Sequence, residues 1–191
     1  MFRKIVFILS ICIAVSGFSQ DFSKTVETQF KDYCNLIAEK RFEKAIDEYG
    51  NEDFLKIFPK EQLIASMEQV FNSKELEFEM YEPENIQILK TYQKSTITEK
   101  NKITYAKLRY NQKIDIKYNG NDLKPDQLLP ALKREFGNEN VLYNSQTGVY
   151  EILSVKDAVA ASKDLKNWKF TIIENNQIDL IKTFIPQEIL K

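Results

Sequence analysis

The chain has 191 residues, with 27 basic and 28 acidic side chains, no histidine and a net charge of −1. Near neutrality excludes a nucleic-acid partner, which demands a concentrated basic surface; here the charges alternate, as in Glu39-Lys40-Arg41-Phe42-Glu43-Lys44, the pattern of a solvated helix face. The lack of histidine removes Ser-His-Asp and Cys-His catalysis and histidine-built zinc sites.

The N-terminus comes first in chain order. Met1 to Lys4 is a short basic start, and Ile5 to Val15 is an apolar run broken only by Ser10. Gly17-Phe18-Ser19 then sets small residues at the −3 and −1 positions of a cut before Gln20. This is the layout of a secretory signal peptide. The run falls short of the ~20 residues that span a bilayer as a helix. The reading is therefore an exported protein, periplasmic or secreted, cut near Ser19/Gln20, with no transmembrane segment in the mature chain. A lipid anchor at Cys12 is the alternative, but Leu9-Ser10-Ile11-Cys12 has isoleucine where a small residue belongs.

Removing residues 1–19 takes away Arg3 and Lys4, leaving 172 residues, 25 basic against 28 acidic side chains and a net charge of −3. A chain of that length suits one domain, residues 20–191, burying roughly 70% of its unfolded surface. No Gly/Ser- or Pro-rich linker divides it. Cys34 is then the only cysteine, and its helical spacing from Phe30 and Ala38 predicts a buried structural thiol. There is no Gly-x-Gly-x-x-Gly turn, P-loop, Ser-x-x-Lys or calcium loop. No cofactor, metal ligand or catalytic residue is assigned.

Phe22, Val26, Phe30, Tyr33 and Ile37 mark one helix face. Phe42, Ala45, Ile46 and Tyr49 continue or restart it, Gly50 stops it, and Asn51 caps a short segment with Phe54, Leu55 and Phe58. Pro59 opens a further helix carrying Leu63, Ile64, Met67, Val70 and Phe71. The period then drops to two. Leu76, Phe78 and Met80 alternate with Glu75, Glu77 and Glu79, Pro83 interrupts, and Ile86 and Ile88 resume toward Tyr92. Residues 95–118 read as two strands, one over Ile103 to Tyr110 and one through Ile114, Ile116 and Tyr118, ending at Asn119-Gly120. Pro125 to Phe136 reads as a helix with Leu128, Leu129 and Leu132 on its face and Gly137 at its close. Val141 to Tyr143 and Val149 to Val155 are strands joined by a turn, and Asp157 to Ser162 is a short Ala-rich helical segment. Trp168 to Glu174, Asn175-Asn176 and Gln177 to Phe184 read as a closing hairpin, ended by Ile185-Pro186.

Helices followed by a long antiparallel sheet make an α+β chain. The order resembles the NTF2-like (cystatin-like) superfamily, with Phe22–Phe71 as the helical layer and Trp168-Lys169-Phe170 through Ile185-Pro186 as the closing hairpin. The resemblance implies N-terminal helices packed in the concave face of a curved antiparallel sheet. Residues 119–147 look like a helical insertion that could lid or plug the cone.

The superfamily contains ketosteroid-isomerase-like enzymes, dehydratases and many non-catalytic binding domains. Without histidine the dehydratase pair is excluded, and no motif here matches the isomerase site. The resemblance thus implies a non-catalytic exported domain that binds a small apolar ligand in its cone, or an exported protein partner. Tyr105, Tyr110, Tyr118 and Trp168 are the candidate ligand-binding residues, since aromatic rings supply area and a polar handle. The competing reading is a carboxylate-based isomerase or lyase using Asp115, although strand alternation turns Ile114 and Ile116 to the core and Asp115 to solvent. A third is a surface-acting accessory whose contact is the acidic run Glu75, Glu77, Glu79, Glu82 and Glu84. The sheet could also pair with a second copy as a homodimer.

Overall fold

In the computed structural model, the described residues are 22–95, 102–120, 124–174 and 177–191. The signal segment with its cut at Ser19/Gln20, and the expected turn at Asn175-Asn176, lie outside them. Among the described residues, no helix is long and apolar enough to cross a membrane.

The apolar stripe of the first helix, α1 (residues 22–38), buries Val26, Phe30 and Cys34. Burial pushes the Cys34 thiol up to about 12, so it stays protonated and inert. The chain turns at Lys40 (φ 60°), and α2 (Phe42–Tyr49) buries Phe42, Ala45 and Ile46. Lys169 Nζ donates to the Asp47 and Glu48 carbonyls at 3.2 and 2.8 Å, satisfying the negative end of α2. The Asn51 side chain accepts from the Asp53 and Phe54 amides and so opens α3 (Glu52–Ile57). Pro59 precedes α4 (Lys60–Phe71).

Six antiparallel strands follow: β1 (Leu76–Met80), β2 (Glu84–Ser95), β3 (Lys102–Tyr118), β4 (Val141–Asn144), β5 (Val149–Ser162) and β6 (Lys169–Ile173). β3 and β5 pair along their whole length, from Thr104↔Ser162 to Lys117↔Val149. Each is flanked by two shorter strands set end to end. β2 and β1 share the outer edge of β3, and β6 and β4 share the outer edge of β5.

Alternation along β3 sends even-numbered side chains to the helix-covered face. Ala106, Leu108 and Tyr110, with Ala158, Ala160, Trp168 and Phe170, form the floor under α1. Ile114, Ile116, Tyr150, Ile152 and Val141 form a second cluster under the helix of the insertion, α5 (Pro125–Phe136), through Leu128, Leu129, Leu132 and Phe136. Gly137 ends α5 with φ 100°, a conformation that favours glycine. The insertion thus plugs one end of the helix-covered face. The α+β layering matches the sequence reading, with helices preceding an open antiparallel sheet.

Three expectations need correction. Residues 102–118 are one continuous strand rather than the two expected over Ile103 to Tyr110 and through Ile114, Ile116 and Tyr118, because long pairing with β5 carries the chain through the expected break. Residues 157–162 are not helical but complete β5. Ala158 and Ala160 are small because α1 packs close over them, and burial rather than helix propensity explains their presence. Gln177 to Phe184 forms no return strand. The chain instead makes α6 (Ile178–Ile181) and α7 (Gln187–Leu190). Ile181, Ile185 and Ile189 recur at steps of four and pack on Tyr105 and Val159, on the face opposite α1. The hairpin on which part of the family resemblance rested is therefore replaced by a helical cover.

Candidate binding sites

Among the described residues, three buried side-chain oxygens have no hydrogen-bond partner: Asp115 Oδ1, Ser154 Oγ and Thr171 Oγ1. Buried polar atoms are nearly always paired, so each marks a place where the fold leaves a polar group unsatisfied. Each also lines a recess.

The first recess is small, about 140 Å³, and lies on the face away from α1. Asp115 is paired with Glu79 and Glu151 across the neighbouring strands, and its side chain is 19% exposed. The Tyr81 hydroxyl donates to Asp115 Oδ2 at 2.9 Å. Lys113 Nζ lies 3.8 Å from the same oxygen and 4.5 Å from the centre of the Tyr81 ring. Asp115 thus has the tyrosine partner that a carboxylate base would want, but on the side of the sheet away from the α1 core. Donation to the carboxylate, with burial second, holds the Tyr81 phenol up at about 12. The folded-state value is raised above the ordinary phenol value of about 10, so this contribution to stability is complete below about pH 10 and is lost as pH climbs through about 12. Ultraviolet titration of the phenolates should show several late tyrosines, since burial also raises Tyr33, Tyr105 and Tyr110, and Asp115→Asn should move one of them, Tyr81, down toward its ordinary value. An unmoved Tyr81 titration would refute the pairing.

The second recess is the largest of the three, about 910 Å³, and follows from the strand pattern. β4 pairs with β5 from Val149 to Ile152, and β6 pairs with it from Asp157 to Ala161. Residues 153–156 therefore have no strand partner on that edge among the described residues. The recess is bordered by the last turn of α5 on one side and by Ile173 and Glu174 on the other. Ser154 is 6% exposed and faces the buried Gln112 across β3. Gln112 Nε2 is spent on the Tyr81 and Lys113 carbonyls, at 2.7 and 3.2 Å. Lys156 Nζ bonds Glu174 Oε1 at 2.7 Å. Arg109 grips Asp157 with two bonds, at 2.8 and 3.2 Å. Burial would raise the Asp157 carboxyl, but Arg109 and Lys107 outweigh it and hold it below the usual range. Arg134 and Glu135 at the mouth have no ion-pair partner among the described residues. The lining is thus mixed in charge and rich in donors and acceptors.

The third recess, about 160 Å³, is mostly apolar and lies in the angle between α2, α3, α4 and β6. Thr171, which lines it, is 4% exposed.

None of the four candidate aromatics lines these three recesses. Tyr110 and Trp168 belong to the cluster under α1. Phe30 meets Tyr110 edge-on at 4.8 Å, and Phe22 meets Trp168 at 4.6 Å. Trp168 is further held by its amide donating to Gln29 Oε1 and its ring N–H donating to the Leu165 carbonyl. Tyr105 faces the other way, among Val159, Ile181 and Ile185. Tyr118 ends β3 opposite Leu76. The fold thus brings Tyr110 and Trp168 together and separates Tyr105 and Tyr118 from them. Of the acidic run, Glu77 is engaged by Lys117 and Asn119. Ser154 and Thr171 carry no signal at the sequence level, since a serine or threonine in a strand is ordinary. Among the described residues, no group of three or more acidic or cysteine side chains could hold a metal ion. No family model matches the chain, and no curated protein matches it.

Proposed function

We propose that the protein is an exported, non-catalytic binding domain on an NTF2-like layout, and that it takes an extended segment of a protein partner along the open edge of β5. The observation that carries this reading is the gap between β4 and β6, where residues 153–156 face a recess of about 910 Å³ without a strand partner among the described residues.

Four residues of strand span about 13 Å. An antiparallel strand alternates its hydrogen-bonding direction, so two of the four aim both N–H and C=O at the recess. An incoming extended chain would satisfy those groups, which is strand addition in a bounded slot. Each such bond is worth about 0.5–1.5 kcal/mol net, so affinity would come from the main chain together with side-chain anchors. Ser154 Oγ and the Arg134 guanidinium are the anchors that fit an acidic residue of the partner. Glu174 and Glu135 disfavour a purely anionic ligand, which favours a peptide over a free anion. The export signal in residues 1–19 places the partner outside the cytoplasm.

The test is amide hydrogen exchange on residues 20–191, alone and with acetylated pentapeptides ending in aspartate. Alone, the recess-facing amides within 153–156 should exchange far faster than those of Ala158 and Ala160. Peptides should slow them, and Arg134→Ala should weaken that protection about tenfold, within the range for a charge-assisted hydrogen bond. Equal protection of 153–156 and 158–160 in the free protein would sink the reading.

A further inference from the structure

The open edge of β5 has two unlike sides. Strand alternation sends Ser154 and Lys156 to the helix-covered side, with Ala158 and Ala160, and sends Leu153 and Val155 to the opposite side, with Asp157 and Val159. Leu153 is 52% exposed and Val155 63%. Leu142 on β4 is 67% exposed and pairs with Glu151, which puts it on that same side, diagonal to Leu153. These three are the most exposed large apolar side chains among the described residues. Ile173 on β6, opposite Asp157, closes the slot on that side, and Asp157 itself is neutralised by Arg109. Lys113, opposite Leu153 across the ladder, is turned to Asp115 and the Tyr81 ring. The helix-covered side is polar, with Ser154 Oγ unpaired, Lys156 bonded to Glu174, and Arg134 at the mouth.

Single exposed apolar side chains are ordinary, but three gathered on one side of an unpaired strand edge mark a contact. Natural sheet edges are blunted by charge or proline, and residues 153–156 carry only Lys156, which is spent on Glu174. Among the described residues, no loop or cap takes a backbone hydrogen bond from 153–156. A second copy presenting the same edge does not fit. Its β5 would run on past the slot into the places that β4 and β6 hold. The slot suits a single extended segment that has no strand of its own beside it.

Resting on the strand-addition reading above, we infer that this partner segment carries the pattern apolar, acidic, apolar. An added strand alternates as β5 does. The residue opposite Ser154 therefore turns to the polar side, and those opposite Leu153 and Val155 turn to the apolar side. The acidic side chain meets Arg134 and Ser154 while its two neighbours cover Leu142, Leu153 and Val155. Branched apolar residues fit best, because they pack well on a pleated surface. The apolar neighbours, and not the acid alone, distinguish this partner from other acidic segments.

The experiment uses two acetylated, amidated pentapeptides of one composition, Ser-Val-Asp-Val-Ser and Val-Ser-Asp-Ser-Val. Both hold aspartate at the centre, but only the first turns its valines to the side opposite the aspartate. Each is titrated into the protein with amide hydrogen exchange as the readout. Both should slow exchange within 153–156, and the first should bind about tenfold tighter, from two apolar cross-strand contacts. Leu153→Thr combined with Val155→Thr should make the two affinities equal. Both positions are exposed and threonine favours strands, so the sheet is retained. Equal affinities in the unaltered protein, with 153–156 protected by both peptides, would overturn the pattern and leave strand addition standing. A preference that survives the double substitution would overturn it as well. No protection of 153–156 by either peptide would remove strand addition and this inference together.

Discussion

Phe30→Ala is expected to lower the unfolding free energy by about 3–5 kcal/mol, the range for deleting a large buried ring. Phe30 is fully buried, and its ring meets Tyr110 at 4.8 Å and Phe170 at 5.2 Å, both edge-on. The floor beneath it is Ala106, Ala158 and Ala160. These residues belong to strands held by pairing on both sides, so the sheet cannot move in to fill the space. The neighbouring rings cannot do so either. Tyr33 is stacked on Phe170 at 5.8 Å, and Trp168 is tied by two hydrogen bonds. The cavity should persist, and a persistent cavity adds to the lost transfer energy. Urea unfolding followed by tryptophan fluorescence reads this directly, because Trp168 lies in the same cluster. The midpoint should fall with the slope unchanged. A loss below about 1 kcal/mol would mean that the α1–sheet interface relaxes and is not the principal core.

Deleting residues 178–191 should have a still larger effect and leave no cooperatively folded protein. The deletion removes Ile181, Ile185 and Ile189, each at most 2% exposed. Burying each is worth about 1.5–3 kcal/mol, so the sum is comparable with the whole stability of a typical domain, about 5–15 kcal/mol. It also uncovers Tyr105 and Val159, and removes the Leu190 carbonyl that accepts from Lys107 Nζ at 3.1 Å. The bare strip would lie on the two central strands and invite aggregation. Ile185→Ala is the graded form, expected to be soluble and weaker by about 2–5 kcal/mol. A deletion variant that melts cooperatively near the full-length temperature would show that the C-terminal helices decorate the sheet rather than complete it.

Local chemistry explains what was legible before the fold. The stripe Val26, Phe30, Cys34 is buried as its spacing requires, Asn51 caps α3 through two amides, and Pro125 and Gly137 bound α5 as their backbone preferences dictate. The alternation of Leu76, Phe78 and Met80 appears as a strand with one inward face. All of these depend on residues a few positions apart.

What was misread depends on partners far along the chain. Ala158 and Ala160 read as helical by composition, but their place in β5 comes from Leu108 and Ala106 on β3, about fifty residues earlier. Residues 178–190 carry a period of four that competes with a strand pattern. Only the uncovered Tyr105 and Val159 decide between them, because the helical form buries three isoleucines there. Tyr105 and Tyr110 look alike in sequence, yet an odd spacing on a strand sends them to opposite faces.

The recesses were beyond any local reading for the same reason. Ser154 lines an open edge because β4 stops at Val141 and β6 stops at Ile173, and Thr171 lines a cavity because three helices meet β6 at an angle. The sequence by itself determined the helix stripes, the caps, the buried thiol, the α+β order and the absence of histidine chemistry, since each is a property of residue type and short-range spacing. Only the tertiary structure decided which strand edges stay open, which face each aromatic takes and which hydroxyls are left without a partner, because those follow from pairings between residues that the chain keeps far apart.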